Sequence, residues 1–492
     1  MFKSILRLTK QSAIYGIGHV LSKAVVILLL PIHTNYVIPL EYGIATQLLV
    51  FLAVMAVVYS YGLNTALLQF FILAKNPIEK KQYFSTAFIV TAITSVLFSI
   101  PLYVARNVFS QWLFDSPQYS YLITLSIGIL IFDALVLLSK NILRAEERAA
   151  GFIFYSLLNI CINVLFNYIF VQRQGLGVKG IFWANLLASG LTWLALLPLT
   201  ARHFLPKLSR AKLQQMMKFG LPFLPSTLAI LVIDSSDRIF IKKFLGLEAV
   251  GIYGAGYKLS LVIKLVINAF QFAWIPFFIS IARDKNAPEI FAKILTYFVM
   301  VCSLVFLFFS MFMDQIVRLR LFGLTIVGQE YWGGTVIVPV VILAYIAYGI
   351  YLNFLVGIYL HEKTRYLIYI TGFAAGVNLA ANYFLIPLLK LMGAAYATLL
   401  AYGSMAALLY WLAQKFYPIN YEWRKILKVT LLSGVVFIAY KILSQPSAII
   451  LNLGLLVSYL IMLVMTGFFD ARELQKLQEI GKRYYDRARA HN

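Results

Sequence analysis

Apolar runs of about twenty residues follow one another from residue 12 to residue 468, with only short polar breaks between them. A helix that crosses the hydrocarbon of a bilayer needs about 20 predominantly apolar residues. None of these runs alternates as a half-buried strand would, and lipid obliges each segment to satisfy its own backbone hydrogen bonds. The chain is therefore expected to fold as an all-α polytopic membrane protein with about 14 transmembrane helices, the first over 12–32 and the last over 447–468. With 61% hydrophobic and 12% charged residues, no stretch is left over for a soluble domain. The first run follows Lys3, Arg7 and Lys10, but it is too long for a cleavable signal and lacks a small-residue cleavage site.

Charge orients the spans. With the N-terminus in the cytoplasm, the inner segments hold 29 Lys and Arg and the outer loops hold 9. That asymmetry places both termini on the cytoplasmic side. It also accounts for the net charge of +23 without nucleic acid. The basic tail (Arg472, Lys476, Lys482, Arg483, Arg487, Arg489) then lies on anionic headgroups.

The chain is built twice. Asn163-Val-Leu-Phe-Asn167-Tyr168 returns as Asn378-Leu-Ala-Ala-Asn382-Tyr383. After a two-residue slip, Gly180, Ala184, Leu186, Leu187, Ala188 and Gly190 align with Gly393, Ala397, Leu399, Leu400, Ala401 and Gly403, and Glu147 falls on Glu362. Paired helical halves are how many secondary transporters are made, with the binding site where the halves meet. The expected organisation is a six-helix bundle over 1–202, a basic cytoplasmic linker over 203–218 and a second six-helix bundle over 219–414. An additional helix pair over 415–468 and a basic tail over 469–492 follow.

Several classes of function fall away. Cys161 and Cys302 both lie within spans and read as small buried apolar residues. The five histidines form no HExxH pair, so no metal site is expected. No GxxxxGK[ST] loop is present, and the longest outer loop, about 314–333, is too short for a catalytic domain. A secondary transporter driven by an ion gradient or the membrane potential fits better than an enzyme. No cofactor is expected beyond a coupling H+ or Na+.

What remains is the polarity inside the membrane, which is costly and functional by default. Lys23 sits about 16 Å into the first span and closes the stripe Ser12, Gly16, His19, Lys23. In the eighth span, 251–281, Tyr257, Ser260, Lys264, Asn268 and Gln271 share one helical face, with Lys258 beside it. Helix-to-helix bonding would explain Ser and Asn there, but it explains two lysines poorly. The seventh span carries Asp234, Asp237 and Arg238, and Asp234 and Arg238 are spaced for an internal ion pair. Asp133 is the lone charge of the fourth span, a candidate either to pair with a lysine or to carry a coupling ion. Pro222 and Pro225 are placed to bend the seventh span and Pro276 the eighth. Four bases against three acids make a cationic interior, which suits a phosphate or pyrophosphate headgroup.

The segment Asp237-Arg238-Ile-Phe-Ile … Gly246-Leu-Glu-Ala-Val-Gly251-Ile-Tyr253, the earlier Leu40-Glu41-Tyr42-Gly43, and Tyr383 … Gly393-Ala-Ala-Tyr-Ala397-Thr398-Leu-Leu carry a resemblance. They resemble the polysaccharide-transport branch of the multidrug/oligosaccharidyl-lipid/polysaccharide exporter superfamily, over essentially the whole chain. The resemblance implies a V-shaped pair of bundles in the bacterial inner membrane. It implies a flippase for undecaprenyl-pyrophosphate-linked oligosaccharides, such as O-antigen, capsule or exopolysaccharide units, working by alternating access. Its cavity cations would be Lys23, Lys258 and Lys264, with His19, Tyr257, Ser260, Asn268 and Gln271 lining the path of the sugar. Partners would be the lipid-linked oligosaccharide, membrane lipids and other polysaccharide-assembly proteins. An ion-coupled multidrug or small-metabolite antiporter would want acidic rather than basic cavity residues. A membrane enzyme such as a polysaccharide polymerase or glycosyltransferase, the rival from another class, would want a long outer loop with paired acids or arginines, and a non-transporting scaffold for glycan assembly is a further alternative.

Overall fold

The computed structural model describes residues 28–469 except 283, 322, 362, 364 and 444–448. Expectations for His19, Lys23, Glu362 and the basic tail lie outside the described residues.

The described chain is built of helices, as the apolar runs require. They are α1 (Leu30–Tyr36), α2 (Pro39–Ser60), α3 (Leu63–Leu73), α4 (Pro77–Val104), α5 (Arg106–Phe114) and α6 (Ser120–Ala145). Next come α7 (Ala149–Asn167), α8 (Gly177–His203), α9 (Arg210–Gly220), α10 (Leu224–Leu245), α11 (Leu247–Ile281) and α12 (Ala287–Arg318). The last are α13 (Val338–Leu360), α14 (Tyr366–Leu389), α15 (Leu391–Phe416), α16 (Trp423–Leu443) and α17 (Ile449–Met465). Two-residue strands, Arg320–Leu321 and Leu324–Thr325, pair antiparallel in the loop after α12.

Eleven described helices are long and apolar enough to span, and a twelfth is formed if the bent pair Arg210–Phe223 and Thr227–Leu245 counts as one. That pair bends by 45° where Pro222 and Pro225 interrupt the backbone ladder. Around position 276 the helix is not interrupted, and α11 runs as one helix of 35 residues. At 17 residues α17 falls just short of a span, and the segment 12–32 lies mostly outside the described residues. Solvent-like exposure of apolar stripes shows which faces meet lipid. On α16, Leu427, Leu431, Val435, Ile438 and Ile442 recur at helical spacing and are all exposed. Cys161 belongs to such a face; it is exposed on α7, whereas Cys302 is buried as expected.

Packing divides the chain into two compact units, one within Met1–Arg283 and Val317–Tyr417, the other within Asp284–Ile316 and Pro418–Asn492. Most of α12, which the sequence placed in the second bundle, thus clusters with the helices after 418. In this smaller unit buried polar groups join helices: Ser303 Oγ and Tyr459 OH lie 2.5 Å apart, and Asn452 Nδ2 donates to the Met311 carbonyl at 2.9 Å.

In the larger unit the two copies of the repeat keep the same internal bond. Asn167 Nδ2 donates to Asn163 Oδ1 at 2.8 Å, and Asn382 Nδ2 donates to Asn378 Oδ1 at 3.0 Å. The halves touch at both ends. At one end α2 and α11 approach so closely that a Cβ on Gly43 would lie 1.8 Å from Leu247 O, and one on Gly251 would lie 2.0 Å from Pro39 O. At the other end Gly62 meets Gly220, and a Cβ on either would fall within 2.6 Å of the other's carbonyl oxygen. Here the expected loop between halves is ordered in part as α9. Its Gln215 accepts from Tyr83 OH at 2.7 Å, its Lys212 pairs with Glu79 at 3.2 Å, and Met216 is buried with Leu63, Phe71 and Phe84.

Candidate substrate cavity

A cavity of about 300 Å³ lies inside the larger unit, bordered by α1, α2, α6, α7, α8 and α11. That volume is at the lower end of ligand-sized sites. One face of α7 supplies Ser156, Asn159, Asn163 and Asn167. Spacings of three and four residues put these polar groups one above another, and such a face cannot be turned to lipid. Asn185 comes from α8, His33 from α1, Lys140 from α6 and Lys258 from α11.

Asn163, Asn167 and Asn185 form a connected row, with Asn159 beside it. Asn163 Nδ2 donates to Asn185 Oδ1 at 2.8 Å, and Asn159 Nδ2 donates to Thr192 Oγ1 at 3.1 Å. Asn167 uses its Nδ2 on Asn163, so its Oδ1 accepts from His33 Nε2 at 2.7 Å. That leaves His33 Nδ1 buried without a partner among the described residues. Immediately after Asn167 the helix widens into a π-helical turn, Tyr168–Arg173, an irregularity often found beside functional sites.

A lysine stands at each end of the row. Lys140 Nζ donates to Ser156 Oγ at 2.6 Å and lies 4.7 Å from the Phe152 ring centre. Lys258 Nζ donates to Tyr42 OH at 2.7 Å, and the Tyr42 ring centre is 6.0 Å from that of His33. Among the described residues neither lysine has a carboxylate within 4.0 Å. Two cations with no ion-pair partner among the described residues, facing a polar hollow in a membrane protein, are costly unless an anion comes to them.

The other expected cations among the described residues, Lys264 and Arg238, are already engaged. Lys264 Nζ lies 2.9 Å from Asp234 Oδ2, and Tyr402 OH donates to Asp234 Oδ1 at 2.5 Å. The expected ion pair between Asp234 and Arg238 is not made. Arg238 reaches only the Asp234 backbone carbonyl, and its carboxylate partner is Asp237 at 2.7 Å. Tyr253 OH donates to Asp237 at 2.5 Å, and the Arg238 guanidinium stacks 4.0 Å from the Tyr257 ring centre. Two acids, two bases and a shell of tyrosines thus neutralise one another in the second half.

The polar stripe of α11 is correspondingly not one wet face. Tyr257 OH is 2.5 Å from Tyr345 OH, and Ser260 donates to its own helix at Gly256 O. Asn268 is buried with its Nδ2 unpartnered among the described residues, and Gln271 is half-buried. Of the residues expected to line the path, Lys258 alone among those described borders the cavity. Asp133 accepts from Ser189 Oγ at 2.6 Å behind it.

The comparisons with known proteins agree with this architecture. The profile of a family described as "Polysaccharide biosynthesis protein" matches residues 36–324, more than half of the chain. The chain belongs to that family. A protein of the Lsg locus of Haemophilus influenzae is 24% identical over 289 residues, 57% of this chain and 68% of its own length. Among solved structures, the lipid II flippase MurJ in an inward closed conformation superposes with a TM-score of 0.73 at 14% identity, covering 92% of this chain and 98% of MurJ. An inward-facing multidrug resistance transporter of the MATE family follows at 0.65 and 16%, covering 86% of this chain and 96% of the transporter. Identities this low speak for the fold. This polysaccharide biosynthesis protein is thus a multi-pass membrane protein with the architecture of the multidrug/oligosaccharidyl-lipid/polysaccharide exporters.

Within this family member the sequence reading missed Lys140, His33 and the amides of α7 and α8. The signal was partly there, since Asn163 and Asn167 anchor the repeat. Lys140 escapes notice because the apolar run of the fourth span, 119–139, ends one residue before it.

Proposed function

We propose that this protein is a flippase that moves a polyprenyl-pyrophosphate-linked oligosaccharide from the cytoplasmic to the periplasmic leaflet of the bacterial inner membrane, with both termini in the cytoplasm. The observation that carries the reading is Lys258, a cation of the second half that has no carboxylate within 4.0 Å among the described residues and that borders a polar-lined cavity of the first half. The pyrophosphate of an undecaprenyl-linked O-antigen, capsule or exopolysaccharide unit supplies the missing anion. Lys23, outside the described residues, is assigned to the same headgroup. Lys264 is held by Asp234 in this closed form and joins the site only if that pair opens. The polyprenyl tail stays in lipid while the halves part at the Gly62–Gly220 end to admit the headgroup, and at the Gly43–Gly251 end to release it.

The test is leaflet translocation of a fluorescent polyprenyl-pyrophosphate oligosaccharide in proteoliposomes. A charge-assisted hydrogen bond contributes about 1.5–3 kcal/mol. Lys258→Gln should therefore slow translocation roughly tenfold or more, and Lys258→Arg should retain most of the rate. Wild-type rates in Lys258→Gln would move the pyrophosphate elsewhere, and no movement by the folded wild type would remove the flippase reading.

A further inference from the structure

We propose that residues 324–337 form an outer clasp between the halves that is released once in each transport cycle, with the reciprocal pair Asn35–Thr325 as its catch. The inference rests on the flippase reading and its orientation, and adds the contact that holds the exit shut.

The clasp bridges the halves. It follows α12 and comprises the strand Leu324–Thr325, Gly328 and a 3₁₀ stretch, Gln329–Ile337. One side is pressed onto α11 of the second half. A Cβ on Gly334 would lie 2.3 Å from Ile252 O, and one on Gly256 would lie 2.0 Å from Gly334 O. The other side meets α1 and Val37 in the first half. A Cβ on Gly328 would lie 2.0 Å from Thr34 O. Gly328 N donates to Thr34 Oγ1 at 2.9 Å, and Tyr331 OH donates to the Val37 carbonyl at 2.5 Å.

At the catch both ends of the Asn35 amide are used. Its Nδ2 donates to Pro31 O within α1 and to Thr325 O in the clasp, each at 2.8 Å. Two backbone carbonyls can only accept, which fixes that atom as the nitrogen. Asn35 Oδ1 then accepts from Thr325 Oγ1 at 2.8 Å. Bonds exchanged in both directions hold in one register only, and a shift of about an ångström breaks both. An apolar seam, by contrast, can slide. Val37, Val327 and Tyr331 of this contact are buried, so the closed form keeps water from it.

Release has to undo this contact. α1 joins α2 through Val37 and Ile38 alone. When α2 parts from α11 at Gly43 and Gly251, the end of α1 is drawn away with it, while the backbone contact of Gly334 keeps the clasp on α11. The bonds between them are neutral and individually modest, strong enough together to favour the closed form and weak enough to yield in each cycle.

The experiment uses the full chain with Cys161 and Cys302 replaced by alanine. Asn35→Cys and Thr325→Cys are introduced together and joined by oxidation or by a short thiol-specific cross-linker. Translocation of the fluorescent polyprenyl-pyrophosphate oligosaccharide should fall at least tenfold on joining, and reduction of the disulfide should restore it. Translocation at the unjoined rate with the link in place overturns the inference while leaving the flippase intact. A second measurement does not depend on the cysteine pair. Val327→Cys, buried in the closed form, is labelled from outside in intact cells by a membrane-impermeant maleimide. Loss of two neutral hydrogen bonds in Asn35→Leu should raise the labelling rate roughly tenfold, and the isosteric Thr325→Val, which loses one, about threefold. Labelling unchanged in both variants overturns the inference. Absence of translocation by the folded wild type removes the flippase reading itself, and the clasp's part in transport with it.

Discussion

At the scale of single residues, charge in this protein is either closed on itself or left open, and the difference separates structure from site. The Lys264–Asp234 pair is closed, with Tyr402 bonding the same carboxylate and Tyr345 3.3 Å from both charged groups. Breaking a buried pair costs about 3–5 kcal/mol because the remaining charge is stranded. Both side chains keep about a fifth of their surface, so Asp234→Asn should cost about 3 kcal/mol, at the low end of that range. The double variant Asp234→Asn with Lys264→Gln should recover part of that loss. Thermal unfolding of wild type, Asp234→Asn, Lys264→Gln and the double variant in detergent measures the coupling, and additive losses would show that the pair contributes nothing. Lys258 and Lys140 are the open charges. Their roles were only half legible in the sequence: intramembrane position marks a lysine as important, but whether an acid sits opposite is decided by helices far away in the chain. Thus Lys264 and Lys258 read alike on α11, yet one meets Asp234 of α10 and the other Tyr42 of α2.

At the scale of helices, the reading from sequence was far more complete, since an apolar run of spanning length has few alternatives in lipid. The bend at Pro222 and Pro225 was legible because proline removes a donor and clashes with the preceding turn. The contacts that hold the halves together were not, because a glycine shows in sequence without showing what it faces. Gly251 faces Pro39 O, and no side chain fits there. Gly251→Val should therefore prevent α2 and α11 from closing. A cysteine at Thr46, which is buried beside Gly254, reports on that closure once Cys161 and Cys302 are replaced by alanine. Labelling by a membrane-impermeant maleimide should rise roughly tenfold in Gly251→Val. Unchanged labelling would mean that the glycine contact is not what shuts this end.

At the scale of the whole chain, the repeat has kept its backbone and divided its labour. Asn163 and Asn167 line a hollow with two lysines that have no carboxylate within 4.0 Å among the described residues, while their counterparts Asn378 and Asn382 bond Ser236 in a buried cluster. Sequence exposed the duplication but not this division, which depends on what packs against each copy. The division has an energetic consequence for transport. The open cations belong to the protein and return with it, so the net charge carried outward per cycle is that of the substrate. A pyrophosphate with two negative charges gains about 5 kcal/mol on crossing 100 mV, inside negative, at about 2.3 kcal/mol per charge. If one third of that field is crossed in the slow step, the rate should rise more than tenfold at 100 mV. Potassium diffusion potentials of graded size imposed on proteoliposomes measure the slope directly. A rate indifferent to potential but driven by a pH gradient would instead mean that protons exchange for the substrate charge. Asp133, the lone carboxylate of α6 behind the cavity, is then the first residue to neutralise.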